Sequence, residues 1–121
     1  MVEDQRQRRY RRVPVGHDYT VRFSVNGEIH RHVPLTNLSA GGCFALVPKV
    51  LASNLHRGYL LMDFLLEHAD LPKTSICSQV VHVIPQASKE GDERLGLGIA
   101  FLSTSPHFYA TMDAHVAQLK P

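Results

Sequence analysis

The sequence predicts an all-β domain closed by one C-terminal helix, and three observations carry that prediction. Apolar and polar residues alternate in short runs separated by glycine, proline and asparagine, the pattern of half-buried strands joined by tight turns. One junction, Asn26-Gly27, is the strongest short hairpin signal a chain offers. From Ser105 onward the apolar period becomes helical. With 121 residues, 44% hydrophobic and 20% charged, the chain has material for one core and little room for a second. That excludes large multidomain enzymes and a disordered chain.

The elements follow in order. Val13-Pro14-Val15-Gly16 reads as a short extended connection, because proline fixes its own φ and keeps the preceding residue out of the helical region. Residues 19–25 alternate, with Tyr19, Val21, Phe23 and Val25 on one face. The Asn26-Gly27 turn pairs them with a second strand over residues 28–36. There Ile29, Arg31, Val33 and Leu35 are expected on one face and Glu28, His30 and His32 on the other, with Pro34 marking an edge or the strand's end. Turn chemistry over residues 36–42 leads directly into the apolar strand 43–47. Residues 59–67 and 74–84 read as two more strands, the second stopped by Pro85, and residues 94–102 as a sixth that forms a long hairpin with the fifth. Ser105 is a good N-cap and Pro106 fits the first helical position, while Phe108, Met112, Val116 and Leu119 recur at helical spacing. A helix over about residues 105–119 is expected across a barrel end or an open sheet face, since alone it would be marginal in water.

The net charge of +2 conceals an asymmetry: residues 1–12 carry +3, from Arg6, Arg8, Arg9, Arg11 and Arg12 against Glu3 and Asp4, and residues 13–121 carry −1. A dense basic arm on a nearly neutral body points to an anionic partner, either nucleic acid, an anionic lipid surface or a small phosphorylated ligand. Residues 1–13 are therefore expected as a flexible arginine-rich arm and residues 14–121 as the single domain. The longest apolar stretch, residues 59–66, contains Asp63 and is too short for a membrane span. The polar, arginine-rich N-terminus is not a secretory signal, so a cytoplasmic location is expected. In that reducing compartment Cys43 and Cys77 read as buried free thiols.

No catalytic motif survives inspection. His30 and His32 share a predicted strand face, but no carboxylate or cysteine stands at companion spacing, and no metal is expected. Ser39 lacks the glycine two positions before it that a nucleophile elbow requires. Gly96-Leu97-Gly98 resembles the start of a dinucleotide fingerprint, yet Phe101 stands at the third glycine and no helix follows directly.

Two segments stand out together. Arg8-Arg9-Tyr10-Arg11-Arg12 alone would be a solvated basic arm, and Asn37-Leu38-Ser39-Ala40-Gly41-Gly42 alone an Asx-type turn. In this order they resemble the PilZ domain family of bacterial cyclic di-GMP receptors. Arg8 and Arg12 match its RxxxR motif; Asn37, Ser39 and Gly42 match its [D/N]xSxxG motif. Gly58 before a long strand, and Gly98 with Phe101 in the last strand, continue the pattern. The resemblance implies a six-stranded antiparallel β-barrel with a C-terminal helix. It implies a receptor without enzyme activity or cofactor, passing a second-messenger signal to an unidentified downstream protein that controls motility, polysaccharide, pilus function or virulence. The alternative is an interaction adaptor with weak or no messenger binding.

The resemblance also assigns the binding site to Arg8, Arg9, Arg12, Asn37, Ser39, Gly41, Gly42 and Gly98. The chemistry fits, because cyclic di-GMP presents two phosphates and two guanines. Arginine grips a phosphate or the guanine O6/N7 edge with one planar fork and stacks on a purine face. All five basic residues of the arm are arginine. Asn37 can both donate to and accept from a guanine edge, Ser39 adds a hydroxyl, and Gly42 permits close backbone approach. Nucleic acid is not expected as the partner; nonspecific binding through the arm would show itself by a steep fall in affinity with salt.

Overall fold

The computed structural model describes residues 12–52, 55–86, 94–102 and 104–119. Its elements are β1 (Val13–Pro14), β2 (Thr20–Val25), β3 (Glu28–Leu38), β4 (Gly42–Pro48), α1 (Lys49–Ala52), β5 (Leu60–Leu66), β6 (Ile76–Gln86), β7 (Arg94–Leu102) and α2 (Pro106–Gln118). The strand order β3-β2-β5-β6-β7-β4 closes on itself through β3–β4 pairing, making a six-stranded barrel to which β1 adds on β3. Every pairing is antiparallel. The six long strands are those expected from the sequence. β1, read as an extended connection, is paired, and α1 had no sequence signal.

Local chemistry explains the turns. Asn26 and Gly27 have φ of 52° and 83°, the two left-handed residues of a tight hairpin whose twist matches its strands. The pairing Val25↔Glu28 brackets them.

The expected faces of β3 need correction. A bulge, with His32 at φ 57°, shifts the β2–β3 register between Val21 and Phe23, and an extra residue reverses which face each side chain takes. Val33 and Leu35 are buried as expected, but Ile29 is 55% exposed, and His30 instead meets the Phe23 ring at 6.2 Å. Pro85 does not end its strand either. β6 pairs with β7 through Gln86↔Arg94 but with β5 only over residues 76–79, so the missing N–H of Pro85 falls on an open edge, where proline is tolerated.

Phe23, Phe64, Leu61, Leu66, Leu97 and Val80 fill the barrel. A line of rings runs from this interior to the helix: Phe23 to Phe64 at 6.2 Å, Phe64 to Phe101 at 5.7 Å and Phe101 to Phe108 at 5.8 Å. Helix α2 buries Phe108, Met112 and Val116, and the Ser105 hydroxyl caps it by accepting from the Phe108 N–H at 3.1 Å. At its far end the Tyr19 hydroxyl and His115 Nε2 lie 2.6 Å apart. Tyr19 stacks on His68 at 4.1 Å, and His68 reaches Asp18 at 3.2 Å.

Val13, expected within the flexible arm, is fully buried and paired with Leu38. Arg8 and Arg9, like the rest of the arm before Arg12, lie outside the described residues. Cys43 is buried, Cys77 is partly buried, and both are free.

Candidate functional site

The turn between β3 and β4 is held by its own serine. The Ser39 hydroxyl accepts from the Gly41 N–H at 3.2 Å and the Gly42 N–H at 3.1 Å, and donates to the Gly42 carbonyl at 3.2 Å. The Ser39 N–H meets the same carbonyl at 2.8 Å, and the Gly41 carbonyl accepts from Phe101 at 2.9 Å. At 5% exposure, Ser39 satisfies backbone groups that would otherwise be buried without partners.

Gly42 is fixed by a different neighbour. A Cβ there would lie 2.2 Å from the Ile99 carbonyl oxygen, so β7 itself demands glycine. At Gly98 a Cβ would come no closer than 3.1 Å, to Cβ and Cδ2 of His82.

Cross-strand register places the remaining residues. Pro14 pairs with Asn37, Asn37 with Phe44, Phe44 with Gly98, and Gly98 with His82. Directly paired residues of antiparallel strands point to one face, so Pro14, Asn37, Phe44, Gly98 and His82 form one row. Leu97, Ile99 and Phe101, which alternate with Gly98, are buried in the core, so the row faces outward. Asn37 is half-buried and makes no side-chain hydrogen bond to another described residue.

The pairing of Val13 with Leu38 and the bond from the Val15 N–H to the Thr36 carbonyl at 3.1 Å carry the chain antiparallel to β3. Continued by one residue, that register brings exposed Arg12 level with Ser39. Burial pushes the Cys43 thiol pKa up and the Arg12 charge draws it part of the way back, which puts the guanidinium within electrostatic reach of the start of β4. Of the expected site residues, Arg12, Asn37, Ser39, Gly41, Gly42 and Gly98 are thus brought to one corner of the barrel's outer face.

Phe44 and His82 belong to the same face and were not singled out from the sequence; Gly96, considered there only as part of a rejected dinucleotide fingerprint, lies on that face too. The tip of the Phe44 ring occupies the space above Gly96, where a Cβ would lie 2.3 Å from Cζ. Their signal exists only in the register: Phe44 and His82 sit in apolar runs that periodicity alone cannot orient. Among the described residues, no three histidine, cysteine or acidic side chains come together as a metal site. No helix among them is long and apolar enough to cross a membrane.

Comparison with known proteins agrees with this architecture. The family model described as "PilZ domain" matches residues 6–118. The PilZ domain of YcgR from Escherichia coli, solved with c-di-GMP, superposes with a TM-score of 0.75 at 18% identity, covering 93% of this chain and 91% of that one. K. pneumonia MrkH gives a TM-score of 0.77 at 21% identity over 89% of this chain, and the Bacillus subtilis inhibitor of motility MotI/DgrA 0.72 at 15% over 92%. The chain spans about half the length of those two proteins, 47% and 50%. The search of curated proteins gives no match. The family match across nearly the whole chain, joined to a closed six-stranded barrel and its C-terminal helix, establishes that the chain belongs to the PilZ domain family.

Proposed function

We propose that the chain is a receptor for cyclic di-GMP, bound on the outer face of the barrel between the arginines of residues 8–12 and the turn over residues 37–42. The observation that carries the reading is the β1 bridge, which delivers the end of the arginine segment to that turn. Two phosphates require cationic partners, and these are concentrated in the arm, at +3, whereas the body of the chain carries −1 overall.

Arg8, Arg9 and Arg12 take the phosphates and the guanine O6/N7 edges. Asn37 reads a guanine edge with its unengaged amide. Ser39 acts by shaping the turn rather than by lending a free hydroxyl, since its hydroxyl already serves three backbone groups. Gly41 and Gly42 present backbone at the turn, and Gly98, buried beside the His82 side chain, adds no side chain of its own to the floor of the site. The chain acts in the cytoplasm without catalysis and passes the signal to a protein partner by contact. The turn and α2 occupy the same rim, because Gly42 pairs with Ala100 just before β7 ends and α2 begins, so α2 is well placed to feel the ligand.

The test is calorimetry on single arginine variants. Arg8→Ala and Arg12→Ala should each lose about 1.5–3 kcal/mol, the worth of hydrogen bonds to a charged group, while Arg6→Ala loses little. Equal losses at all three would mean a delocalised basic patch and would remove the assigned site.

A further inference from the structure

Phe101 makes two contacts with opposite ends of itself. Its N–H donates to the Gly41 carbonyl at 2.9 Å, and so steadies the turn that Ser39 closes. Its ring meets Phe108, on the first turn of α2, edge to face at 5.8 Å. The surroundings of that ring differ in stiffness. On one side it tilts against Phe64 at 5.7 Å, which is fully buried and stacks on Phe23; a close-packed interior has little room to yield. On the other side is Phe108, which borders an open cavity of about 320 Å³ between the first turn of α2 and the start of β6, lined also by Ile76, Cys77, Leu102 and His107 but not by Phe101. A shift of β7 at Phe101 is therefore taken up at the start of α2, where there is space. The far end of the helix is held separately, by buried Val116 and by the 2.6 Å contact of Tyr19 with His115.

We infer that Phe108 is a positioning residue for the ligand: by holding the Phe101 ring it holds the N–H on which the Gly41 carbonyl rests, and the ligand, by fixing the turn, in return tightens the first turn of α2. This rests on the reading of the chain as a cyclic di-GMP receptor and assigns the route by which that site reaches the helix. Coupling between two sites is reciprocal, so one contact serves both directions. A turn that spends only part of its time in the binding geometry lowers the apparent affinity by that fraction. Phe108 thus sets affinity without touching the ligand.

Amide hydrogen exchange and calorimetry on the full chain test this together. In wild type, saturating cyclic di-GMP should slow exchange of the Phe101 amide and of the Phe108 and Tyr109 amides, which bond to Ser105, by about fivefold or more. The slowing should exceed that of the Glu67 amide, bonded to the Thr20 carbonyl at 3.0 Å, which reports global stabilisation. Phe108→Ala should bind cyclic di-GMP about fivefold or more weakly and exchange its Phe101 amide faster. Phe108→Leu, which keeps apolar bulk against Phe101, and Val116→Ala, which loosens only the far end of α2, should both bind within about threefold of wild type, below the range of site-to-site coupling. Should Phe108→Ala fail to fold, the exchange pattern of wild type decides alone. Wild-type affinity and an unaltered Phe101 amide in Phe108→Ala, or equal slowing at Phe108, Tyr109 and Glu67 in wild type, overturns this inference and leaves the receptor reading intact. A loss in Val116→Ala equal to that in Phe108→Ala would mean that docking of the whole helix sets affinity, and overturns it too. No binding by wild type overturns the receptor reading and this inference with it.

Discussion

Two glycines at the site, Gly42 and Gly98, should respond oppositely to the same methyl group. In Gly42→Ala the new Cβ would sit 2.2 Å from the Ile99 carbonyl oxygen, 3.3 Å from the Ile99 carbonyl carbon and 3.4 Å from the Ala100 Cα, all backbone atoms of a strand paired on both sides. Nothing there can rotate aside; β4 and β7 must separate, loosening the Ser39 N–H bond to the Gly42 carbonyl. Overpacking of this kind costs about 2–3 kcal/mol, which for a domain of this size is a fall in Tm of about 8–12 °C. In Gly98→Ala the nearest atoms belong to the His82 side chain at 3.1 Å, which is half-exposed and can give way, so the cost should stay below about 1 kcal/mol. That methyl group would nevertheless push the His82 ring aside at the floor of the proposed site. Thermal denaturation with parallel ligand titration separates the two: Gly42→Ala loses stability and binding together, Gly98→Ala loses binding with little change in Tm. A Gly42→Ala protein melting within about 2 °C of wild type would refute the claim that β7 fixes the turn.

Ser39→Ala should cost about 1–3 kcal/mol in urea denaturation, because the buried Gly42 N–H loses its acceptor. Asn37→Asp should tighten cyclic di-GMP binding several-fold by calorimetry, since a carboxylate accepts from guanine N1 and N2 with charge assistance. Stability should also depend on pH through the contact of α2 with the barrel. Burial holds the His115 pKa below its ordinary value of roughly 6.5, His68 pushes the same way and Asp70 opposes. The unfolded chain then binds the proton more readily than the folded one, so stability is full above about pH 6.5 and falls as pH drops below it. Melting curves between pH 7.5 and 5.5 should show that decline, and His115→Gln should flatten it.

What could be read from the sequence divides along a physical line. Elements fixed by local chemistry were legible: the Asn26-Gly27 turn, the strand 94–102 and the helix with its Ser105 cap each depend on neighbours in the chain. Features set by pairing were not. The His32 bulge turns Ile29 outward, the open edge of β6 lets Pro85 continue a strand, and β1 forms only because β3 offers Leu38 and Asn37 as partners. The site shows the same division. Asn37, Ser39 and Gly42 were visible as a motif, but that the Ser39 hydroxyl is spent on its own turn and that Ile99 sets the need for Gly42 required the fold. Phe44 and His82 had no signal until register placed them beside Gly98.

The most direct test of the account is titration of the wild-type chain with cyclic di-GMP, with guanosine monophosphate as the control. The account predicts saturable heat with a Kd in the micromolar range or tighter, about −8 kcal/mol or better, and far weaker binding of the mononucleotide. No heat at ~100 μM cyclic di-GMP, well above the Kd of a micromolar site, would contradict it and leave the barrel as an interaction adaptor.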